Sequence, residues 1–160
     1  MDKLTAAARS WNMSRIRSKD TGPELTVRRF LHRAGLRFRL HRSDLPGKPD
    51  LVFAKRRICL FVHGCFWHGC PHCIDGTRKV KSNTFYWSEK ISNNRARDER
   101  HRAALTAAGW DVLVIWECEV GDEQKLSALA NRIRTLPSTQ TSTPQSNSEH
   151  RQRHSNRRND

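Results

Sequence analysis

Long apolar runs and acidic residues are the two things this chain has least of. No unbroken apolar stretch exceeds the length of Ile58 to Val62, far short of the ~20 residues that cross a bilayer. No membrane segment or membrane partner is therefore expected. The opening MDKLTAAARS has no apolar signal core, which points to a cytoplasmic protein. Cysteine is sparse, with five in 160 residues. In a reducing compartment these read as metal ligands plus a buried thiol rather than disulfides. Acids number 16 against 30 Lys and Arg, a formal charge of +14 and a pI near 10.6. Such a surface binds polyanions by releasing their counterions, so nucleic acid is the natural partner. Internal repeats are absent as well. From Pro137 to Asp160 the chain lacks every aliphatic and aromatic residue. That stretch cannot build a core and is read as a disordered polar tail. Its four arginines face Glu149 and Asp160, so +2 of the +14 sits there and +12 falls on residues 1–136.

What remains has the length of one domain. Residues 3–19 permit a helix and are basic, with Arg9, Arg15, Arg17 and Lys19 around Trp11 and Met13. Thr21-Gly22-Pro23-Glu24 has a capping-box Thr/Glu pair with Pro in the first turn. It predicts a helix with an apolar stripe of Leu25, Val27, Phe30, Leu31 and Ala34, stopped at Gly35. Residues 36–41 alternate as a half-buried strand. Residues 50–54 and 58–63 predict a hairpin around Lys55-Arg56-Arg57, its second arm apolar on both faces and so central. A turn centred near Arg56 sets Asp50 opposite Val62, with a slip of one or two residues allowed because loop length alone does not fix register. Residues 84–108 predict a long Arg-rich helix ending before Gly109, residues 111–116 a buried strand, and residues 123–136 a last helix. Together these predict an α/β domain built on a mixed sheet flanked by helices.

The chemistry is concentrated in Val62 to Cys73, which carries three thiols, three imidazoles and a Phe-Trp pair. Cys65, Cys70 and Cys73 are spaced C-x4-C-x2-C, and Cys118 follows a strand able to return beside them. Four thiolates in tetrahedral array suit structural zinc with no open coordination position. His72 is the alternative to Cys73, because adjacent residues do not easily both face one ion. Cys59, inside the apolar strand, reads as a small buried hydrophobe.

An acid that opens a hairpin strand after a proline-bearing turn resembles the restriction-type nucleases. Phosphodiester hydrolysis needs a hard cation on the phosphate and an activated water. Mg2+ takes oxygen ligands, and Asp50 with the backbone carbonyl of Val62 can supply two. The acid and lysine that usually follow on the second strand are replaced by Phe61 and His63.

Leu45-Pro46-Gly47-Lys48-Pro49-Asp50, then His63-Gly64-Cys65-Phe66-Trp67-His68, then Thr84-Phe85-Tyr86-Trp87 and Trp116-Glu117-Cys118 appear in that order. In this the chain resembles the very-short-patch repair (Vsr) endonucleases, from Trp11 to Cys118 and on through the last helix. The resemblance implies a restriction-endonuclease-like fold over residues 21–136 and a DNA-contacting segment over 1–20. It implies a monomer that nicks double-stranded DNA beside the T of a T:G mismatch, with Mg2+ for catalysis and Zn2+ for structure. Mismatch-repair proteins would be further partners. By the same resemblance Asp50 is the Mg2+ ligand and His68 activates the attacking water. His63 and Glu24 hold metal-bound water or the phosphate, although Glu24 also completes the capping box with Thr21. The chain departs from the pattern at Val62, where a Thr is usual, and at Cys70, where a His serves as zinc ligand. It also carries a short insertion before Trp87.

Phe66 and Trp67 read as a wedge between base steps, since a wobble pair is cheaper to unstack. By resemblance Trp87 joins them. Trp110 and Trp116 read as core packing, and His32, His41 and His101 as surface histidines. Lys90, Asn93 and Asn94 can meet phosphate or base edges. A non-catalytic zinc module for nucleic acid, and a nuclease of broader specificity on the same scaffold, are the alternative functions.

Overall fold

The computed structural model describes residues 5–137, and the tail expected from residue 137 onward lies almost wholly outside them. Within them four strands form one sheet in the order β1 (Arg39–Leu40), β2 (Leu51–Phe53), β3 (Ile58–His63), β4 (Asp111–Trp116). β1/β2 and β2/β3 pair antiparallel, whereas β3/β4 pair parallel. The sheet is mixed, as the pattern of elements required.

Alternation along the central strands sorts side chains to two faces. Leu51, Phe53, Ile58, Leu60, Leu113 and Ile115 pack on one side with Val27 and Leu31 of α2 (Gly22–Arg33) and Leu126, Leu129 and Ile133 of α6 (Glu123–Thr135). Val52, Cys59, Phe61 and Val112 take the other side, with Trp110 and Leu105 of α5 (Thr84–Ala107). Asp50 and His63 continue this second set, so the pleat itself points both toward the α5 face. α1 (Ala6–Ser14) buries none of its residues and carries Trp11 more than half exposed.

Helix ends follow local chemistry. The Thr21 hydroxyl caps α2 by accepting the Glu24 N–H, and Asp122 caps α6 by accepting from Gln124 and Lys125. Past α5 and α2 the chain turns at Gly109 and Gly35, whose φ values of +81° and +82° favour glycine.

Two expectations change. The strand predicted over 36–41 shrinks to two residues, and Leu40 is exposed rather than inward-facing. Leu36 and Phe38 still reach the core, but from irregular backbone. The hairpin register is Leu51↔Leu60 and Phe53↔Ile58, one residue off the expected pairing, so Asp50 falls opposite Phe61. The cause is the turn: Ala54–Arg56 form a single 3-10 turn and Arg57 adopts φ +56°, which centres the loop between Lys55 and Arg56.

Candidate active site and metal centre

β3 ends at His63, and Gly64 leads into α3 (Cys65–His68), a single helical turn. Its first N–H, from Cys65, donates to Glu117 Oε2 at 3.2 Å, which ties the turn to the end of β4. Gly69 ends α3 at φ +62° beneath Ile91 and Arg95 of α5. One turn thus carries a cysteine inward, Phe66 and Trp67 outward along α5, and His68 back toward the sheet.

The His68 ring stacks on His63 with centroids 4.1 Å apart and planes 8° from parallel. His68 Nδ1 lies 2.5 Å from Asp98 Oδ2 on α5. A carboxylate only accepts, so Nδ1 carries the proton and Nε2 is left as the free lone pair. Burial, and next the neighbouring His68, pull the His63 pKa down to about 4, so His63 is neutral at physiological pH. The ligand atoms of His63, His68 and Asp98 lie within 4.8 Å of one another.

Asp50 sits at the mouth of β2 and accepts the Val62 N–H on Oδ2 at 2.7 Å. Burial raises its pKa to about 6 against that bond, and the charge of Glu24 raises it further, while His41 and Arg28 oppose. A carboxylate short of solvent and beside a second carboxylate is a site that a cation relieves.

Glu24 is almost fully buried. It takes the Asp20 N–H at 2.9 Å and the Arg28 guanidinium at 3.0 Å on Oε2, with the Thr21 hydroxyl on Oε1. The capping box is therefore altered, since the carboxylate reaches the Asp20 N–H rather than that of Thr21. Arg28 also donates to Asp20 at 2.6 Å and meets His41 Nε2 at 2.8 Å. The same His41 Nε2 also lies 3.4 Å from Asp20 Oδ1. Asp20, Glu24 and His41 converge as a cation site would, and Arg28 is the cation that fills it. His41 is thus no surface histidine, and neither is His101, which is half-buried against Gly47. His32 is exposed.

Asp50, Glu24, His63, His68, Asp98 and Trp67 all line one open cleft of 1720 Å³. Trp116 lines it too, edge-on to His63 at 5.2 Å, and so does not belong to the core as expected. Trp110 does, with Arg57 stacked over it at 4.3 Å.

Phe66, Trp67 and Trp87 form one aromatic cluster with centroids 5.3–5.7 Å apart. Lys90 lies over Trp67, Tyr86 and Trp87. Asn94 donates to the Trp67 carbonyl at 2.9 Å, so it braces α3, while Asn93 is exposed.

Behind α3 the sulfurs of Cys65, Cys70, Cys73 and Cys118 come within 4.8 Å of one another. His72 stays outside this group and gives Cys70 only its backbone N–H, at 3.4 Å. The Cys118 N–H likewise donates to Cys65 Sγ at 3.3 Å. Burial raises the Cys65 thiol well above its ordinary range and Cys118 to about 11, whereas the Gly76 N–H lowers Cys73. The cluster can hold a metal ion, whose charge would outweigh the cost of burying thiolate. Cys59 is fully buried and pushed up to about 12, an inert core thiol.

Four participants escaped sequence reasoning: Asp98, Arg28, Asp20 and Glu117. Asp98 had a signal. Trp87, Ile91, Asn94, Asp98, His101 and Leu105 follow helical spacing and all face protein in α5. Half of that stripe is polar, so an apolar search passes over it.

Residues 1–74 match the family model described as DNA mismatch endonuclease Vsr. The type II nicking enzyme V.XorIIP of Xanthomonas oryzae pv. oryzae is 53% identical over 135 residues, covering 84% of this chain and 96% of that one. V.NmeAIP of Neisseria meningitidis, also a type II nicking enzyme, is 40% identical over 82% of this chain and 93% of its own. The DNA mismatch endonuclease Vsr of Escherichia coli is 41% identical over 79% and 81% respectively. With relatives this similar along nearly their whole lengths, the chain belongs to the Vsr family of DNA mismatch endonucleases.

Proposed function

We propose that this DNA endonuclease nicks one strand of duplex DNA beside the T of a T:G mismatch, with Mg2+ at Asp50 and His68 as the base. The observation that carries the reading is the Asp98–His68–His63 array opening into the same cleft as Asp50, next to an aromatic cluster. A mismatch binder without catalysis needs the aromatics but not the buried acid or the oriented imidazole.

Asp50 and the Val62 carbonyl would hold the cation. The Val62 N–H points at Asp50, and a strand residue sends its N–H and C=O toward the same edge. Mg2+ bound there would polarise the scissile phosphate and stabilise the leaving oxygen. His68 accepts the proton of the attacking water on Nε2 while Asp98 holds the ring in that tautomer and stabilises the imidazolium. His63, kept neutral by burial and stacked on His68, can donate to a phosphate oxygen or a water without adding charge. Glu24, paired with Arg28 at 3.0 Å, lines the same cleft and can orient a water on the cation.

The four cysteines fit zinc: an all-thiolate set of four, closed by its own backbone, with no position left for substrate. In this reading zinc fixes α3, and α3 aims both the base and the wedge. The hairpin with an acid at its head supports a restriction-endonuclease-like fold, in which the second-strand acid and lysine are replaced by the histidine pair.

The test is a nicking assay on two duplexes of the same context, one with T:G and one with C:G, in Mg2+ or in EDTA. Mg2+-dependent cutting of the T strand in the mismatched duplex alone is the expected result. Equal cutting of both duplexes would replace this reading with a nuclease of broader specificity, and binding without cutting would replace it with a binding module.

A further inference from the structure

A second concavity lies on α5 outside the catalytic cleft. It is a groove of 710 Å³ between α5 and residues 78–80, the stretch that precedes the helix. Two adjacent ridges of α5 make its floor: Trp87, Ile91 and Arg95 along one, Thr84, Ser88 and Ser92 along the other, each at i, i+4, i+8 spacing. Arg78 and Lys79 form the opposite wall. Three cations and three hydroxyls thus line the groove, and no carboxylate does. Arg78 is bonded to Asp75 at 2.6 Å, with both side chains exposed, so its charge is partly spent. Lys79 and Arg95 make no ion pair with any described residue.

The groove is continuous with the cleft. Arg95 lines both, its stem passing over Gly69 directly beyond His68. Trp87 lines the groove with one part of its ring and packs on Phe66 and Trp67 with another. A duplex wedged open by Phe66 and Trp67 therefore has a strand leaving along α5 toward Arg95 and Lys79. Guanidinium and ammonium donors with no acid among them match the acceptor-only edge of a phosphodiester chain; the Ser88 hydroxyl already donates to the Phe85 carbonyl at 2.9 Å.

We propose that this groove is a second DNA-backbone site, seating phosphates of the duplex flank on the wedge side of the mismatch through Lys79, Arg95 and Arg78, with Ser92 on its floor. It rests on the reading of the protein as a DNA mismatch endonuclease but concerns affinity, not chemistry. The site acts without sequence preference and lengthens the footprint to one side of the nick.

The experiment is equilibrium binding in EDTA, where nothing is cut, over a range of salt, on a long duplex and on one truncated close to the mismatch on the wedge side. The proteins are wild type, R78A/K79A and R95M, the last keeping the stem that covers Gly69. On the long duplex the double variant should lower the slope of log affinity against log salt by about 1 to 2, close to one for Lys79 and less for Arg78, which shares its charge with Asp75. R95M should lower it by about 1. Truncating the duplex should weaken wild type several-fold and the double variant hardly at all. Unchanged slopes, or equal sensitivity of wild type and the double variant to truncation, would overturn the proposal. Running T:G and C:G duplexes in parallel separates the two ideas. Loss of mismatch preference with the slope change intact would remove the mismatch reading and leave the groove standing.

Discussion

Asp50 is subject to two opposing demands. Burial raises its pKa from an ordinary value of 3.8 to about 6 in the metal-free protein, whereas cation binding needs it ionised. A carboxyl whose folded-state pKa is raised holds its proton more tightly folded than unfolded. The stability it contributes is complete below about pH 3.8 and is lost as pH rises through 6. His63 runs the other way: its pKa is depressed from 6.5 to about 4, so its contribution is present above 6.5 and lost as pH falls through 4. The two slopes oppose each other in overlapping windows and flatten the wild-type curve. Asp50→Asn removes one of them. In EDTA the variant should be more stable than wild type above pH 6 by up to about 3 kcal/mol, and closer to it below pH 4. Urea denaturation at both ends of the window measures this, and in Mg2+ the same variant should not nick. An Asn variant no more stable than wild type above pH 6 would show that the Val62 hydrogen bond, not desolvation, sets the energy of this site.

Glycine decides how the short elements meet. α4 (Ile74–Thr77) presses its backbone on Cys70: a Cβ on Gly76 would lie 2.0 Å from the Cys70 carbonyl oxygen and 2.5 Å from its nitrogen. Neither atom can yield without moving a cysteine of the cluster. Gly76→Ala should therefore lower the metal bound per chain and the melting temperature together. Gly22→Ala, with nothing within 4 Å at the start of α2, should change neither. Metal content by atomic spectroscopy and a thermal melt check both, and full metal occupancy in the Gly76 variant would contradict the packing. This close approach was illegible in the sequence, because Cys70 and Gly76 meet only once α3 and α4 are folded against each other. α2 was legible because apolar periodicity, the Thr21 cap and the Gly35 stop agree along it; the Gly109 stop marked the end of α5, and the apolar runs marked β3 and β4. β1 was not. Its alternation of Leu36, Phe38 and Leu40 is real, but only Arg39 and Leu40 find a partner, because β2 itself is three residues long. At the site, Asp50, His63, His68 and the cysteines could be found because each stands in a dense local motif. Asp98 could not, because it acts on His68, 30 residues earlier, across a fold that must first be built.

At the scale of the molecule, the two metal roles proposed for this chain fall on separable parts. The larger core joins α2 and α6 to one sheet face through Val27, Leu31, Leu60, Leu126 and Ile133, and none of the four clustered cysteines belongs to it. The cysteines instead join α3, α4 and the end of β4. α3 and α4 are four residues each, too short to hold themselves in water; apart from the sulfurs, α3 is held by the bonds of Cys65 to Glu117, Asn94 to Trp67 and His68 to Asp98 and by ring packing on His63 and Trp87. Stripping the ion with a strong chelator under reducing conditions should therefore leave the sheet, α2 and α6 folded and release the α3–α4 segment. Far-UV circular dichroism should change little, since α5 alone has 24 residues against eight in α3 and α4 combined. The near-UV signal should fall sharply as Trp67 and Trp87 lose their mutual packing, and nicking should fall with it, because His68 rides on α3. Adding zinc back should restore all three. Adding Mg2+ alone should restore none, since a hard oxygen-seeking ion is a poor match for four thiolates. Loss of the far-UV signal in step with the near-UV signal would mean that the ion holds the whole domain, and that the larger core does not stand without it.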